Sequence, residues 1–468
     1  MNHTQVAAAA GPDAAHAPAA SAQGGRLVSI DILRGLAILW VILFHLWADM
    51  THHLDRGDLF VAVREQMYDG KPWLALRTAG EVLLSQGNLG VALFMMLSGL
   101  SLTLNAYRRD EPPIWHGYVT RFRRVVPVYW AGFFLFLATI AAIALIQTLL
   151  DGHSYGYQWS HVTVAAEAPV RVGWADAMWA LSIFAWVFRD KPDVTNGVLT
   201  LPAPVNSLWF VQLLLAYYLL FPFALRLERR IGPWNFALVG VALAVGARAA
   251  FVPWSHDGLD PLYAVRYLWA LFPFRLSEFF LGMSLGHLLA TRHDDVGAWL
   301  RRGVDTAGFV ALGVALVVTG LLLAAKGDVQ LIASDVVVHA GLALVIMPLL
   351  FKAPGRLETS VVARALVSLG VVSFTALIVN DMMRYVASFL RTEHVSGPAW
   401  WFFLVVVYVP GGTLLAYPLA SAFGLLPSQR ARDRAREAQP AAEEPRRLRR
   451  RERRRLAREA RAKSAARA

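Results

Sequence analysis

Two ionisable side chains, Arg34 and His45, lie eleven residues apart inside the first long apolar segment of the chain. Eleven residues complete almost a whole number of α-helical turns, so both side chains lie on one face, about 16 Å apart along the axis. Ionisable groups within a membrane-spanning segment are costly and usually mark a pathway or a reaction site. Since imidazole is the commonest general base near neutral pH, the pair predicts chemistry inside the bilayer, with His45 as the base.

Each of these residues also has a structural interpretation. A histidine between membrane helices can simply make a hydrogen bond that stabilises the bundle by about 1 kcal/mol. An arginine near the end of a span often extends to water and helps to set topology. Asp31 lies three residues before Arg34, where the two can pair. We favour the catalytic interpretation for His45, whereas position alone favours the structural one for Arg34.

A second candidate site is the arginine group Arg121, Arg123 and Arg124, followed closely by Pro127. Guanidinium groups bind phosphate through paired hydrogen bonds, so this group is suited to an anionic ligand. Taken alone, the group is better explained as the basic flank of a membrane span.

The composition is that of a membrane protein with many spans. Hydrophobic residues make up 56% of the 468 residues, charged residues only 17%, and the mean hydropathy is +0.45. In soluble domains about a quarter of the residues are charged. Cysteine is absent, which excludes disulfides, thiolate nucleophiles and cysteine-ligated zinc. We predict no metal cofactor.

Apolar stretches long enough to cross a bilayer recur along most of the chain. They predict an all-α fold, a polytopic integral membrane bundle of about ten transmembrane helices. The ten predicted spans are residues 28–48, 86–106, 126–149, 206–225, 234–252, 263–290, 304–324, 330–351, 365–388 and 399–425. Pro273 is expected to kink or break the sixth of them.

The basic residues between the spans predict the orientation. They cluster after every second span, in the segments 107–124, 226–230, 292–302 and 352–364 and in the C-terminal tail. Because Lys and Arg concentrate on the cytoplasmic side, we predict a multi-pass protein of the inner (plasma) membrane with both termini cytoplasmic. The apolar segment 174–189 is too short to cross and is predicted to be an interfacial or re-entrant helix on the outer side.

The two ends of the chain differ in composition from its apolar centre. Residues 1–25, rich in Ala, Gly and Pro, are predicted to be disordered, and residues 26–425 form the predicted transmembrane domain. Residues 426–468 form a basic cytoplasmic tail. Residues 430–468 carry 16 basic and 6 acidic side chains, so most of the net charge of +12 lies there. The tail lacks interleaved aromatic residues, so we predict contact with anionic membrane lipids rather than specific nucleic-acid binding.

The segment Arg26–His45, with its core Asp-Ile-Leu-Arg-Gly-Leu-Ala and the spacing of Arg34 and His45, resembles the first span of membrane-bound acyltransferase family 3. Four later segments resemble further parts of that family in the same order. They are Gly90–Thr103, the Arg121-x-x-Arg124 pattern before Pro127, Arg275–Gly286 and Leu369–Val386. The resemblance covers about residues 26–425, nearly everything except the two ends.

This resemblance implies an integral membrane O-acyltransferase that acts on glycans. Such enzymes move an acyl group, usually acetyl and sometimes succinyl, from a coenzyme A thioester to a hydroxyl group. The resemblance implies acyl-CoA, most often acetyl-CoA, as donor and a cell-envelope or exported carbohydrate as acceptor. It implies His45 and Arg34 as catalytic residues and Arg121 and Arg124 as ligands of the coenzyme A phosphates. The pantetheine arm is long enough to carry the thioester from a cytoplasmic phosphate site to His45.

Two positions depart from the pattern of the family. Ser207 and Leu208 match a Trp-Ser-Leu-x-x-Glu signature found in many members, but Val211 stands where the glutamate would be. Asn380-Asp381 stands where histidine is often found. These differences concern the acceptor more than the reaction class.

The residues leave two mechanisms and a second function open. His45 can accept the proton of the acceptor hydroxyl in a direct transfer, or form a covalent acyl-histidine in a two-step one. The oxyanion donor is not identified, with Asn206, Trp209 and Gln212 as candidates. A transporter or flippase for a glycan or lipid-linked intermediate would also have about ten spans, but paired broken helices would be expected, and only Pro273 predicts a break.

Overall fold

Helices dominate the part of the chain that the structure describes, which confirms the all-α class. The computed structural model describes residues 28–51, 65–66, 69–108, 114–151, 158–159, 162–163, 193–195, 198–200, 209–256, 268, 271–300, 304–323, 330–351, 360–393, 403–423 and 426. Residues 1–25, the segment 174–189 and the basic tail lie outside the described residues, so the predictions made for them stay predictions.

The described α-helices are, in chain order, α1 (Val28–Thr51), α2 (Pro72–Leu84), α3 (Asn88–Arg108), α4 (Ile114–Asp151), α5 (Trp209–Ile231), α6 (Pro233–His256), α7 (Leu276–Thr291), α8 (His293–Leu300), α9 (Val304–Leu323), α10 (Asp335–Phe351), α11 (Val361–Val371), α12 (Ser373–Glu393) and α13 (Val409–Ala422). A 3₁₀ turn leads into α7, and π-helical turns lead into α10 and α13. Their bounds are Phe272–Arg275, Gln330–Ser334 and Phe403–Tyr408.

Two short antiparallel hairpins lie between α4 and α5. Strand β1 (Gln158–Trp159) pairs with β2 (Val162–Thr163), and β3 (Asp193–Thr195) pairs with β4 (Val198–Thr200). Each strand has only two or three residues. Pairs this short do not form a sheet layer, so the architecture remains a helical bundle.

Several described helices have the length and composition of membrane spans. Six qualify singly, and the bent pair α11–α12 would make a seventh. The six are Val28–Trp47, Leu89–Tyr107, Phe210–Ile231, Pro233–Ser255, Thr306–Leu323 and Leu331–Phe351. Spanning helices are therefore confirmed, while the count of about ten is not. Of the remaining predicted spans, 126–149 lies within α4, the later part of 263–290 forms α7, and part of 399–425 forms α13.

The ninth predicted span, 365–388, contains a sharp bend. Helices α11 and α12 meet at Val372 with an angle of 80° between them. The Thr375 hydroxyl donates to the Val372 carbonyl (2.9 Å) and to the Ala416 carbonyl of α13 (3.1 Å). The Val372 carbonyl also accepts from the Ala376 amide at 2.8 Å, the first backbone hydrogen bond of α12, so a new helix starts directly at the bend. Near Pro273 the sixth predicted span is not a continuous helix: Leu271 is extended, and Pro273 lies in the first turn of the 3₁₀ segment that precedes α7.

The most extensive helix contact among the described residues is between α3 and α7. A Cβ atom at Gly282 of α7 would collide with the Met96 carbonyl of α3, so only glycine fits there. Helix α6 packs on the opposite side of α7, where the Phe236 and Phe280 rings stack with centroids 4.1 Å apart. Small residues thus let the helices approach, while aromatic rings fill the wider gaps.

A buried ionic network joins α6, α7 and α10. Arg275 forms a two-pronged ion pair with Glu278, with both N–O distances at 2.8 Å. Nε2 of His339 lies 3.4 Å from the same carboxylate. Arg248 donates to Asp335 at 3.2 Å and to the Phe274 and Leu331 carbonyls. Each charge is paired, so we interpret this network as structural.

A second polar cluster joins the C-terminal ends of α3, α5 and α7. The buried Glu228 carboxylate accepts from the Tyr107 hydroxyl at 3.2 Å and pairs with Nδ1 of His287. The Arg229 guanidinium lies over the Tyr107 ring, 5.1 Å from its centroid. These contacts tie three helix ends together.

Candidate functional site

Helix α1 carries both predicted catalytic residues without interruption. Val28–Thr51 is helical throughout, which places Arg34 and His45 on one face about 16 Å apart along the axis. Ile38 and Val41 fall between them at the spacings of this face, and both are buried. The face is therefore apolar in the middle and polar at its two ends.

His45 is half-buried and contacts α12. Its Nδ1 atom lies 3.4 Å from Nδ2 of Asn380, and its ring centroid lies 5.2 Å from that of Phe44. Only 2% of Asn380 is exposed. The structure thus pairs the predicted base with a buried amide, an arrangement that can hold one imidazole orientation.

Asn380 is in turn held by Tyr408, the last residue of the π-helical turn before α13. The Tyr408 hydroxyl oxygen lies 2.9 Å from the Asn380 backbone carbonyl oxygen and 2.8 Å from its side-chain oxygen. Tyr408 is 1% exposed. A chain of contacts therefore runs from Tyr408 through Asn380 to His45, across three separate segments of sequence.

Arg34 lies at the other end of the same face. Its guanidinium donates to Ser101 Oγ of α3 at 2.9 Å, and Asp31 Oδ1 lies 3.9 Å away. The Arg34 side chain is 30% exposed, whereas that of Asp31 is 4% exposed. The predicted pairing with Asp31 is present but long. The contact with α3 shows that Arg34 does more than extend to the surface.

A small apolar cavity lies beside the α1 face between Arg34 and His45, with about 290 Å³ of unfilled space when the open solvent at its mouth is included. Four helices line it, with Ser373 contributing the one hydroxyl group. The lining residues are Ala37, Ile38, Val41, Gly90, Val91, Phe94, Phe210, Ser373, Phe374 and Leu377. Phe374 and Leu377 precede Asn380 at helical spacing, so the α12 wall of the cavity leads towards the residue that contacts His45.

Close backbone approach positions α1 against its neighbours. A Cβ atom at Gly35 would collide with the Leu366 carbonyl, and one at Gly370 would collide with the Asp31 carbonyl. Helix α11 therefore crosses α1 next to Arg34 with almost no space between the backbones. The bend at Val372 then lets α12 follow α1 towards His45.

Arg121 lies in the first part of α4 and packs against α5. Its guanidinium carbon is 5.2 Å from the Phe221 ring centroid and 5.9 Å from that of Tyr218, both cation–π distances. The Tyr118 hydroxyl donates to the Leu219 carbonyl and ties the same turn to α5. Partial burial lowers the pKa of the Arg121 guanidinium, but arginine remains cationic at neutral pH.

The structure does not bring every predicted residue together. Arg121 contacts rings of α5, whereas Arg34 contacts α3 and His45 contacts α12. The Arg124 side chain lies outside the described part, although the residue belongs to α4. Arg123 on the same helix is exposed.

Of the oxyanion candidates, only the Gln212 side chain is described. It is buried, and its Oε1 has no hydrogen-bond partner among the described residues. Phe210, two residues earlier, lines the cavity. Side chains two positions apart point in very different directions on a helix, so the structure does not place Gln212 in the cavity wall.

Sequence reasoning missed Tyr408 and the role of Phe210 as a cavity wall. It noted Asn380 only as a departure from a pattern. Nothing in the neighbouring sequence distinguishes Phe210 from other aromatic residues in apolar runs, or Tyr408 from other tyrosines. Their contribution comes from three-dimensional contact with α12 and α1.

The chain matches the model of acyltransferase family 3, described as an acyltransferase domain, over residues 27–417. No curated protein and no solved structure shows a significant match to it. The matched range contains Arg34, His45, Arg121, Asn380 and Tyr408, so the whole candidate site lies within it.

Proposed function

The chain belongs to acyltransferase family 3 and is a membrane acyltransferase, and from this premise we propose that it transfers an acetyl group from acetyl-CoA to a carbohydrate hydroxyl. The acceptor is a carbohydrate of the cell envelope or an exported one. The observation that carries the proposal is the α1 face, on which an apolar cavity separates a half-buried histidine from an arginine.

The lining of the cavity favours an uncharged acyl group. None of its lining side chains is charged, and Ser373 offers a single hydroxyl group. A succinyl group would place a carboxylate against a lining in which no side chain is charged, which is unfavourable. An acetyl group and the thioester end of the pantetheine arm have no charge and suit the lining. We therefore favour acetyl over succinyl as the transferred group.

The arginines support an anionic donor. Arg121, with Arg124 one turn later on α4, is proposed to bind the coenzyme A phosphates through bidentate hydrogen bonds. The rings of Tyr218 and Phe221 lie at cation–π distances from the Arg121 guanidinium. In the proposed orientation both termini and these arginines face the cytoplasm, where acyl-CoA is made, and the protein resides in the inner (plasma) membrane.

The proposed reaction is a direct transfer. His45 accepts the proton of the acceptor hydroxyl while the hydroxyl oxygen attacks the thioester carbonyl carbon. The tetrahedral intermediate then collapses, the C–S bond breaks, and coenzyme A leaves as the thiolate, which takes up the proton held by His45 and so restores the base. A new ester links the acetyl group to the carbohydrate. The alternative, attack by His45 itself to form an acyl-histidine, would need two steps.

Purified protein tests the reaction class directly. In the presence of acetyl-CoA and envelope glycan, the wild-type protein should release coenzyme A thiol and add an acetyl mass to the glycan. His45→Gln retains hydrogen bonding but lacks the base, so it should insert normally and lose turnover. A transporter or flippase would release no thiol. Full turnover by a well-inserted His45→Gln protein would refute the assignment of the base.

Initial-rate kinetics separates the two mechanisms. Direct transfer requires both substrates on the enzyme, so lines in a double-reciprocal plot should intersect. Parallel lines, together with a covalently acetylated protein in the absence of acceptor, would establish the acyl-histidine route.

A further inference from the structure

Resting on the function proposed above, we propose that Asn380, oriented by Tyr408, selects the tautomer of His45 that can act as a base. In this tautomer Nδ1 carries the proton and Nε2 carries the lone pair. Asn380 is a positioning residue, because it acts through the imidazole.

The hydrogen bonds around Tyr408 determine how the Asn380 amide is turned. The Tyr408 hydroxyl has one proton, yet its oxygen lies 2.9 Å from the Asn380 backbone oxygen and 2.8 Å from the end of the side chain. One proton makes one full hydrogen bond. If the amide turns its nitrogen towards Tyr408, it donates to the hydroxyl oxygen while the hydroxyl donates to the backbone carbonyl. Both contacts are then satisfied, and a carboxamide can exchange its ends with little change in shape.

This orientation turns the Asn380 side-chain oxygen towards Nδ1 of His45. The terminal atom of the Asn380 side chain on this side lies 3.4 Å from Nδ1. Since the oxygen can only accept, Nδ1 must carry the proton and donate it. Nε2 is then unprotonated in the neutral ring, as a general base requires. The reverse orientation would present an N–H group to Nδ1 and leave the proton on Nε2, where it prevents proton acceptance.

Burial makes the orientation decisive. Asn380 is 2% exposed and Tyr408 is 1% exposed, so water cannot readily replace a missing partner. A buried amide whose groups are unmatched is unfavourable, so the orientation that matches donors to acceptors in these two contacts of Tyr408 should dominate. The α12 helix places this amide one turn beyond Leu377 of the cavity wall.

Substitutions at Asn380 test which atom faces His45. An aspartate offers only acceptor oxygens when ionised, so Asn380→Asp should lose much less kcat than Asn380→Leu. Asn380→Leu should lower kcat by roughly tenfold or more, with little change in the KM for acetyl-CoA. Equal losses in the two variants would overturn the proposal, because an acceptor at this position would then bring no benefit.

A double-mutant cycle tests the role of Tyr408. Tyr408→Phe should lower kcat roughly three- to tenfold in the wild-type background, because the amide is no longer oriented. In the Asn380→Asp background it should have little effect, because both carboxylate oxygens are acceptors. A loss of the same size in both backgrounds would overturn the proposal and make Tyr408 a packing residue.

Thr375→Val is the matched control for Tyr408→Phe. It also deletes a buried hydroxyl that joins α12 to the α13 region, since Thr375 donates to the Ala416 carbonyl at 3.1 Å. It makes no contact with His45 among those described, so its kcat should stay near the wild-type value. A loss equal to that of Tyr408→Phe would show that any weakening of this helix contact lowers turnover.

A spectroscopic measurement needs neither folded variants at Asn380 nor an acceptor. Nitrogen-15 NMR of histidine-labelled wild-type protein distinguishes Nδ1–H from Nε2–H imidazole, and the signal absent in His45→Gln identifies His45. We expect the Nδ1–H form. The Nε2–H form would overturn this inference even in an active acyltransferase, and the Nδ1–H form would stand even if the proposed acceptor were wrong.

Discussion

The Arg34 guanidinium donates a hydrogen bond to Ser101 Oγ at 2.9 Å and thereby ties α1 to α3 at the end of the cavity opposite His45. Ser101 itself donates to the Leu97 carbonyl at 2.7 Å, so its oxygen is held in place as the acceptor. The arginine is thus fixed within the bundle although its side chain is 30% exposed.

Substitutions of Arg34 and Ser101 should lower turnover to different extents. Arg34→Ala removes the cation beside the cavity and should abolish acyl transfer, whereas Ser101→Ala removes one hydrogen bond and should lower turnover roughly three- to tenfold. Coenzyme A release by the purified variants measures both effects. Since the chain has no cysteine, labelling of single introduced cysteines can verify the orientation of each variant. Wild-type turnover by correctly oriented Arg34→Ala would leave Arg34 with a topological role alone.

Arginines at 121 and 124 should contribute to donor affinity through the shape of their guanidinium groups. Replacing both by lysine preserves the positive charge that directs insertion but removes the two-pronged hydrogen bonding. The KM for acetyl-CoA should rise by roughly tenfold or more, since each charge-assisted contact contributes about 1.5–3 kcal/mol. Arg123→Lys is the matched control, because Arg123 is exposed on the same helix turn. Unchanged donor affinity in the double variant would reduce Arg121 and Arg124 to topology signals.

Phe210 should limit the length of the acyl group. Its ring meets Phe94 and Phe374 edge-on, with centroids 6.0 Å and 5.8 Å apart, and so closes one side of the cavity. Phe210→Leu removes part of this wall and should raise the turnover of propionyl-CoA and butyryl-CoA relative to acetyl-CoA.

Phe236→Leu is the control for that experiment, because Phe236 is equally buried but stacks on Phe280 outside the cavity. Both variants should lose stability to a similar extent, and only Phe210→Leu should change the ratio of acyl donors. The same shift in both variants would mean that general loosening of the bundle, rather than the cavity wall, sets the preference.

Glu278 should contribute to stability rather than to turnover. Glu278→Ala leaves Arg275 charged and 3% exposed without its carboxylate, which should lower the free energy of unfolding by about 3–5 kcal/mol. Asp69→Asn breaks the exposed ion pair with Lys71, at 3.3 Å, and should change the free energy of unfolding by less than about 1 kcal/mol. Thermal unfolding in detergent compares the two. Equal and small shifts would show that the buried network tolerates Arg275 without the Glu278 carboxylate.

The sequence was sufficient to predict the class of this protein. The length of the apolar runs demands helices in a bilayer, because backbone groups there must pair within their own segment. The eleven-residue spacing of Arg34 and His45 was enough to place both on one face, since helical periodicity is a local property. Pro273 likewise predicted a break that the structure contains, because proline lacks the amide hydrogen that a helix interior needs.

The surroundings of the α1 face that carries Arg34 and His45 depend on packing between distant segments of the chain. No local rule brings Asn380 to His45 across 335 residues, or Tyr408 to Asn380, because such contacts follow from how α12 bends away from α11. The bend also divides the ninth predicted span between α11 and α12, which hydropathy alone does not indicate. The apolar cavity arises in the same way, since four helices must meet before Phe210, Phe374 and Val41 enclose a space. Hydropathy records that a side chain is apolar, and only the assembled bundle determines what it lies against.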